Sequence, residues 1–296
     1  MTGLLREAYR MMRTIRVFEQ CVHDASARGE LPGAERLHAG DEAAATGVCL
    51  HLDERDAIAG TQRGYGHCIA GGVDVKGMMA ELYGRRTGSR RGKGGALHIA
   101  DLARGMLGAN GVTGGPTLIC GTALAAKQQG TGGVGVAFFG DGASGDGATL
   151  EALHLATTWC LPVLFIAEST AWPRRSRGWS VASDSIADRA AAFGMPGEIV
   201  DGLDFFAVYE AAGEAIVRAR NGGGPTLIEV RRLAIPPGCA HGDCLERFRG
   251  TVLDGGGLEE SILDRIDGEV AALVAASVAE AKAAPEPASA DPEADA

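Results

Sequence analysis

A chain of 296 residues has ample material for one large domain or two modest ones. Hydrophobic residues make up 46% and charged residues 22%, the balance of an ordinary globular protein, while a net charge of −10 argues against nucleic acid as a bulk partner. The 45 glycines show no Gly-X-Y period, so they imply tight turns and close backbone approaches rather than collagen. No run of about 18 apolar residues occurs, and no membrane span is expected.

Residues 4–28 carry Leu5, Tyr9, Met12, Ile15 and Phe18 at the spacing of one buried helix face, and LPG at 31–33 ends the pattern. A second helix is predicted from Asp41 to Leu50, where small residues suit close helix packing. RDAIAG reads as a short strand leading into the glycine-rich segment TQRGYGHCIAGG, residues 61–72. VKGMMAELYGR, residues 75–85, is again helical. The basic stretch GRRTGSRRGKGG, residues 84–95, reads either as a solvated loop or as a mobile positive loop that gathers an anionic cofactor. Further on, GANGVTGGPTLICGTALAAKQQG is a glycine-lined turn feeding a helix of small residues.

The clearest architecture lies between 134 and 170. VGVAFF is an apolar strand, a helix is predicted over Ala148–Thr158, and PVLFIA is a second apolar strand. Strand, turn, helix and strand make a βαβ unit whose strands should be parallel. A further unit follows in SIADRAAAFG, EIVDG, the helix DFFAVYEAAGEAIVRAR and the strand PTLIEVRRL. Residues 258–282 read as a last helix through Ile262, Ile266, Val270 and Val274, and the Pro, Ala and acid tail has nothing to bury.

Seven cysteines, Cys21, Cys49, Cys68, Cys120, Cys160, Cys239 and Cys244, form no disulfide framework. With an odd number and a charged N-terminal helix in place of a secretory leader, reduced thiols and a cytoplasmic location are expected. Cys239, His241 and Cys244 lack the second cysteine pair of a metal clip.

Between the two apolar strands, GDGASGDGATLEALHLA holds two Gly-Asp-Gly triplets, at 140–142 and 145–147. GDGASG satisfies G-x-G-x-x-G between a strand and a helix, and Glu168 ends the next strand where a ribose-binding acid of a dinucleotide site would stand. Asp141 argues against that reading, because a carboxylate in the turn would face two phosphates unless a cation lay between them. Magnesium, which takes one or two protein oxygens plus phosphates, meets the requirement. Ser169 and Thr170 are expected to follow the neighbouring strand, Thr170 standing 29 residues after Asp141, and Thr170 offers a hydroxyl to the same crevice. A calcium loop starting at Asp141 fails, since its third and fifth positions are Ala143 and Gly145. Asp146, in the second triplet, suits the start of the helix.

GDG, then helix and strand, then the polar turn EST, resembles the thiamine diphosphate signature. Together with YRMMRTIRVFEQ, GDEAAATGV, RGYGHCIAGG, MMAELYGRRTG, RGKGGALHIAD and LGANGVTGG, it resembles the alpha subunit of the dehydrogenase component of 2-oxo acid dehydrogenase complexes (the pyruvate, acetoin and branched-chain type) over roughly residues 8–235. The resemblance implies an α/β thiamine diphosphate-binding fold, a mostly parallel sheet flanked by helices. It fits one such domain over residues 1–282 with a helical segment over about 1–50, while the composition of 283–296 predicts an unstructured acidic tail. The resemblance also implies thiamine diphosphate and magnesium as cofactors, a beta subunit completing an α2β2 heterotetramer, a 2-oxo acid substrate and a lipoyl acyltransferase as acyl acceptor.

By the same resemblance Asp141 is the magnesium ligand, joined by Thr170 and the carbonyl of Trp172. Gly140, Gly142 and Ala143 belong to the diphosphate turn, Arg63 with Gln62 beside it contacts the diphosphate, and Gly111 and Thr113 line the aminopyrimidine. His241 corresponds to the histidine of the loop near the cofactor, the candidate catalytic residue. His67 and His98 match family positions, where packing and catalysis are both open. Four departures stand out: EST in place of the family's ENN, Gln62 where an aromatic or histidine precedes the arginine, Arg36 in place of histidine, and LAIPPGCAHGDCLERFR in place of the Y-x-GHS-x-x-DP loop. They leave open a carboligase, acyl transfer to a carrier other than lipoyl, or a non-catalytic structural paralogue.

Overall fold

The structure, a computed structural model, describes residues 2–31, 40–61, 64–108, 114–170, 185–232 and 243–287. Its centre is a five-stranded sheet of β1 (Ala57–Ala59), β2 (Gly135–Gly140), β3 (Val163–Thr170), β4 (Gly197–Asp201) and β5 (Thr226–Arg232). The spatial order is β1-β2-β3-β5-β4, and every pairing is parallel. The βαβ reading of 134–170 holds: β2 and β3 pair in register with α6 (Gly147–Thr158) between them in the chain.

The strands alternate their side chains between two apolar layers, which is why VGVAFF and PVLFIA carry no polar face. Val136, Phe138, Leu164, Ile166 and Ile228 meet α1 (Thr2–Ala27), α2 (Glu42–Cys49), α3 (Tyr65–Ala70), α4 (Val75–Leu82), α8 (Phe205–Arg220) and α10 (Glu260–Ala283). Ala137, Phe139, Val163, Phe165 and Leu227 meet α5 (Gly114–Gln129), α6 and α7 (Ala190–Phe193). α2 and α8 cross so closely that a Cβ at Gly47 would lie 2.8 Å from Val208 Cγ1 and 3.1 Å from the Tyr209 amide nitrogen.

The structure departs from the sequence reading in four places. TQRGYGHCIAGG contains the helix α3, held by packing, with His67 fully buried. Ser169 and Thr170 end β3 instead of following it, because β5 pairs with them through Arg231 and Arg232. The second half of the presumed loop at 233–249 is α9 (Cys244–Asp254), capped by Asp243 and burying Cys244, Leu245, Phe248 and Val252 against α1 and α10. The tail starts ordered: the Pro285 carbonyl accepts from the Arg86 amide at 3.0 Å, and Glu286 pairs with Arg85 at 3.3 Å. Among the described residues, no helix is long and apolar enough to cross a membrane.

Candidate active site

The carboxyl ends of β1, β2, β3 and β5 lie along one edge of the sheet, where open α/β sheets bind ligands. β1 ends one residue before Gly60-Thr61, and the chain resumes at Gly64 to enter α3. A strip from Asp101 to Leu107 runs beside β1, with the Ile58 amide donating to the Gly105 carbonyl at 2.8 Å and the Leu107 amide to the Ile58 carbonyl at 2.9 Å. It covers the open edge of β1 and leads toward the first turn of α5, which packs so tightly that a Cβ on Gly115 would sit 3.3 Å from that of Ala59. Gln62, Arg63, Gly111, Thr113, Trp172 and His241 lie outside the described residues, as do Arg36 and the side chain of Thr170.

Gly140 ends β2 opposite Glu168, and Asp141 begins the turn with its side chain exposed. Asp141 Oδ1 accepts from the Gly142 amide at 2.7 Å; among the described residues Oδ2 takes no hydrogen bond. The turn is held from beneath by Ser144, whose amide (3.2 Å) and hydroxyl (2.6 Å) both donate to the Asp141 carbonyl. Ala143 and Ser144 are buried, and Asp141 and Gly142 are exposed at the start of the turn. Among the described residues, nothing lies within 4 Å of a Cβ built on Gly140, Gly142, Gly145 or Gly147. Asp146 caps α6 by accepting from the Ala148 amide at 3.0 Å, the helix-start role read from the second triplet.

Behind the turn, His67 Nε2 contacts Glu168 Oε1 at 2.9 Å, and its ring stacks on Phe138 at 4.0 Å. The imidazole thus spans from α3 over β2 to β3, tying α3 to the end of β3. His67 is therefore a packed, hydrogen-bonded histidine, and Glu168 is its partner. His98, in contrast, is exposed.

The basic stretch is neither loose nor merely solvated. Glu81, fully buried, accepts at Oε2 from the amides of Arg90 (2.8 Å) and Gly92 (2.9 Å) and at Oε1 from those of Gly94 (2.7 Å) and Gly95 (3.1 Å). The loop wraps this carboxylate, with Gly88 close enough that a Cβ would lie 2.6 Å from Glu81 Cα. Its outer side lines an open pocket of about 930 Å³ with Arg90, Arg91, Lys93, His98, Asp101 and Leu107.

Sequence reasoning did not find Glu229. It is buried in the middle of β5 and takes hydrogen bonds from Ser169, Ser185, Arg231 and the amides of Ile186 and Ala187. Burial would raise its pKa, but the Ser185, Ala187, Ser169 and Arg231 donors hold it below the usual carboxylate range. The signal was present: a lone acid inside the apolar strand PTLIEV. Among the described residues no three histidine, cysteine or acidic side chains cluster as a metal cage, so a cation here would depend on Asp141 with backbone, hydroxyl and ligand oxygens.

Comparison with known proteins gives a consistent set of relatives. The family described as "Dehydrogenase E1 component" matches residues 9–234. The alpha subunit of acetoin:2,6-dichlorophenolindophenol oxidoreductase from Cupriavidus necator is 51% identical, over 96% of this chain and 91% of its own. The protein of the same description from Bacillus subtilis is 57% identical over 75% of this chain and 67% of its own. The pyruvate dehydrogenase E1 component alpha subunit of Rhizobium meliloti is 35% identical over 95% of this chain and 86% of its own.

Proposed function

Because the chain belongs to the dehydrogenase E1 component family, we propose that it is an alpha subunit that holds thiamine diphosphate and magnesium and acts with a separate beta subunit in an α2β2 heterotetramer. Asp141 carries this reading: an exposed carboxylate at the carboxyl end of β2, inside a glycine turn. About 4 Å from a phosphate charge, such a carboxylate would be repelled by about 4 kcal/mol at an effective dielectric near 20. A divalent cation reverses that sign. Asp141, Thr170 and the Trp172 carbonyl would hold it, the Gly142 and Ala143 amides with Arg63 and Gln62 would face the diphosphate, and Gly111 with Thr113 would line the aminopyrimidine.

When bound, thiamine diphosphate supplies the electron sink that lets a carbon–carbon bond beside a carbonyl break. This chain's residues bind and orient it. The His67–Glu168 contact ties α3 to the end of β3 and Ser144 braces the turn that begins at Asp141, and His241 is the candidate to handle protons on the substrate side. Acetoin is the favoured substrate, since the 51% and 57% identical relatives are named for it; a 2-oxo acid is the second reading, from the 35% identical relative. The acyl acceptor is a lipoyl domain; in the assay a dye of the dichlorophenolindophenol type takes the two electrons instead, and the acyl group passes to water as the free acid.

The test is to copurify the chain with its beta subunit, titrate thiamine diphosphate with and without magnesium, and then follow dye reduction with acetoin and with pyruvate, with and without a lipoyl domain. Magnesium-dependent binding and faster turnover of acetoin are expected. A complex that binds no thiamine diphosphate would defeat the proposal, and faster pyruvate turnover would replace the substrate reading.

A further inference from the structure

PTLIEVRRL places a carboxylate in the middle of β5, between β3 and β4, where an uncompensated charge is costly. Among the described residues Arg231 is the cation that balances the charge, giving Nε at 3.2 Å and Nη2 at 3.0 Å to Oε1. The remaining donors come from elsewhere in the chain. Ser169 Oγ reaches Oε1 at 2.8 Å from the end of β3, one residue before Thr170. Ser185 Oγ and the Ile186 amide reach Oε2 at 2.7 Å, and the Ala187 amide does so at 3.1 Å. One carboxylate therefore joins the end of β3 to the segment that starts at 185.

That segment in turn holds the turn of Asp141. The Arg189 amide donates to the Ile186 carbonyl at 3.1 Å, forming a short turn that directs Arg189 Nη1 onto the Ser144 carbonyl. Ser144 then donates twice to the Asp141 carbonyl. Gly197, the first residue of β4, lets the Ala187 carbonyl approach where any Cβ would collide with it. A continuous path runs Ser169, Glu229, 185–187, Arg189, Ser144, Asp141. Its two ends are the residue beside one proposed cation ligand and the other ligand itself.

The geometry points to Glu229 as a positioning residue that couples the two halves of the cation site, with Arg189 as the link to the Asp141 turn. The inference rests on the functional reading above. Neither residue touches the cation; each acts through the backbone that carries its ligands.

The test uses the α–β complex, comparing wild type with Glu229→Gln, Arg189→Met, Ser185→Ala and Asp56→Asn. Asp56 is the control: it is buried, pairs with Arg220 at 2.6 Å and accepts from the Val134 amide at 2.7 Å, at the opposite ends of the strands from the site. Magnesium affinity at saturating thiamine diphosphate is read by titration calorimetry, and thermal midpoints of the cofactor-free complexes are read alongside. Glu229→Gln and Arg189→Met are expected to raise the cation dissociation constant by about tenfold or more, as losses beside metal ligands do, with binding restored by excess magnesium. Asp56→Asn should lower the midpoint and leave the cation dissociation constant within about twofold. If Glu229→Gln does not fold, Arg189→Met and Ser185→Ala decide by the same criterion. Variants that bind the cation like wild type overturn the inference alone. A wild-type complex that binds neither cofactor nor cation overturns the functional reading and this inference with it.

Discussion

Glu81→Gln, at the end of α4, is the most informative single change for the basic loop. Each Glu81 oxygen accepts two backbone N–H groups, from Arg90 and Gly92 on one side and Gly94 and Gly95 on the other. An amide nitrogen in place of either oxygen cannot accept, so two N–H groups lose their partner and face another donor. A buried donor left unsatisfied costs about 1–3 kcal/mol, and since water can reach this loop when it opens, the pair should cost about 2–3 kcal/mol. For a chain of this size that is a fall of about 3–5 °C in the thermal midpoint. Local effects should be larger than global ones: the amides at 90–95 should exchange hydrogen much faster, and trypsin should cut at the exposed Arg90, Arg91 and Lys93 under conditions that spare the wild type. An unchanged midpoint together with unchanged exchange at 90–95 would refute the view that Glu81 organises the loop.

Three further outcomes are expected. Burial raises the thiols of Cys49, Cys68 and Cys120, the last two to about 12, and Cys244 likewise, so native protein treated with iodoacetamide at pH 8 should be labelled at the exposed Cys160 and spared at these four by peptide mass spectrometry. Burial would raise Asp243, but the Arg16 hydrogen bond and charge, with the Glu246 and Leu245 amides, hold it below the usual carboxylate range. Its contribution is then present above the unfolded carboxylate pKa and lost as pH falls through the folded value, so Asp243→Asn should flatten the acid limb of a melting curve between about pH 5 and pH 3. Gly47→Ala should cost about 1–3 kcal/mol in a urea melt, because its methyl group meets Val208 and the Tyr209 backbone at the α2–α8 crossing.

The parallel sheet was legible because β2 and β3 are buried on both faces, and such strands read as unbroken apolar runs bounded by glycine and proline. The proposal of Asp141 as a cation ligand was legible too, since a carboxylate in a glycine turn after a strand poses a local electrostatic question. The support beneath it was not. Glu229 shows in the sequence as an acid within an apolar strand, yet its donors Ser185 and Ser169 are 44 and 60 residues away, and Glu168 meets His67 across 101. Pairings at that range follow from the topology, which local pattern does not contain. α3 escaped notice because YGHCIA has weak helix propensity and forms through packing. α9 was readable in principle from Asp243 as cap and Cys244, Leu245, Phe248 and Val252 on one face, but the preceding PPG drew the loop reading too far.

The central claim is that Asp141 holds a divalent cation against a diphosphate. It is tested most directly by thiamine diphosphate binding to the α–β complex as magnesium is varied, for wild type and Asp141→Asn. Removing one charge worth about 4 kcal/mol at close range should weaken magnesium-dependent binding by about 10³-fold, with the thermal midpoint of the cofactor-free complex unchanged because the side chain is exposed. Equal affinity in the two proteins at every magnesium concentration would contradict the account.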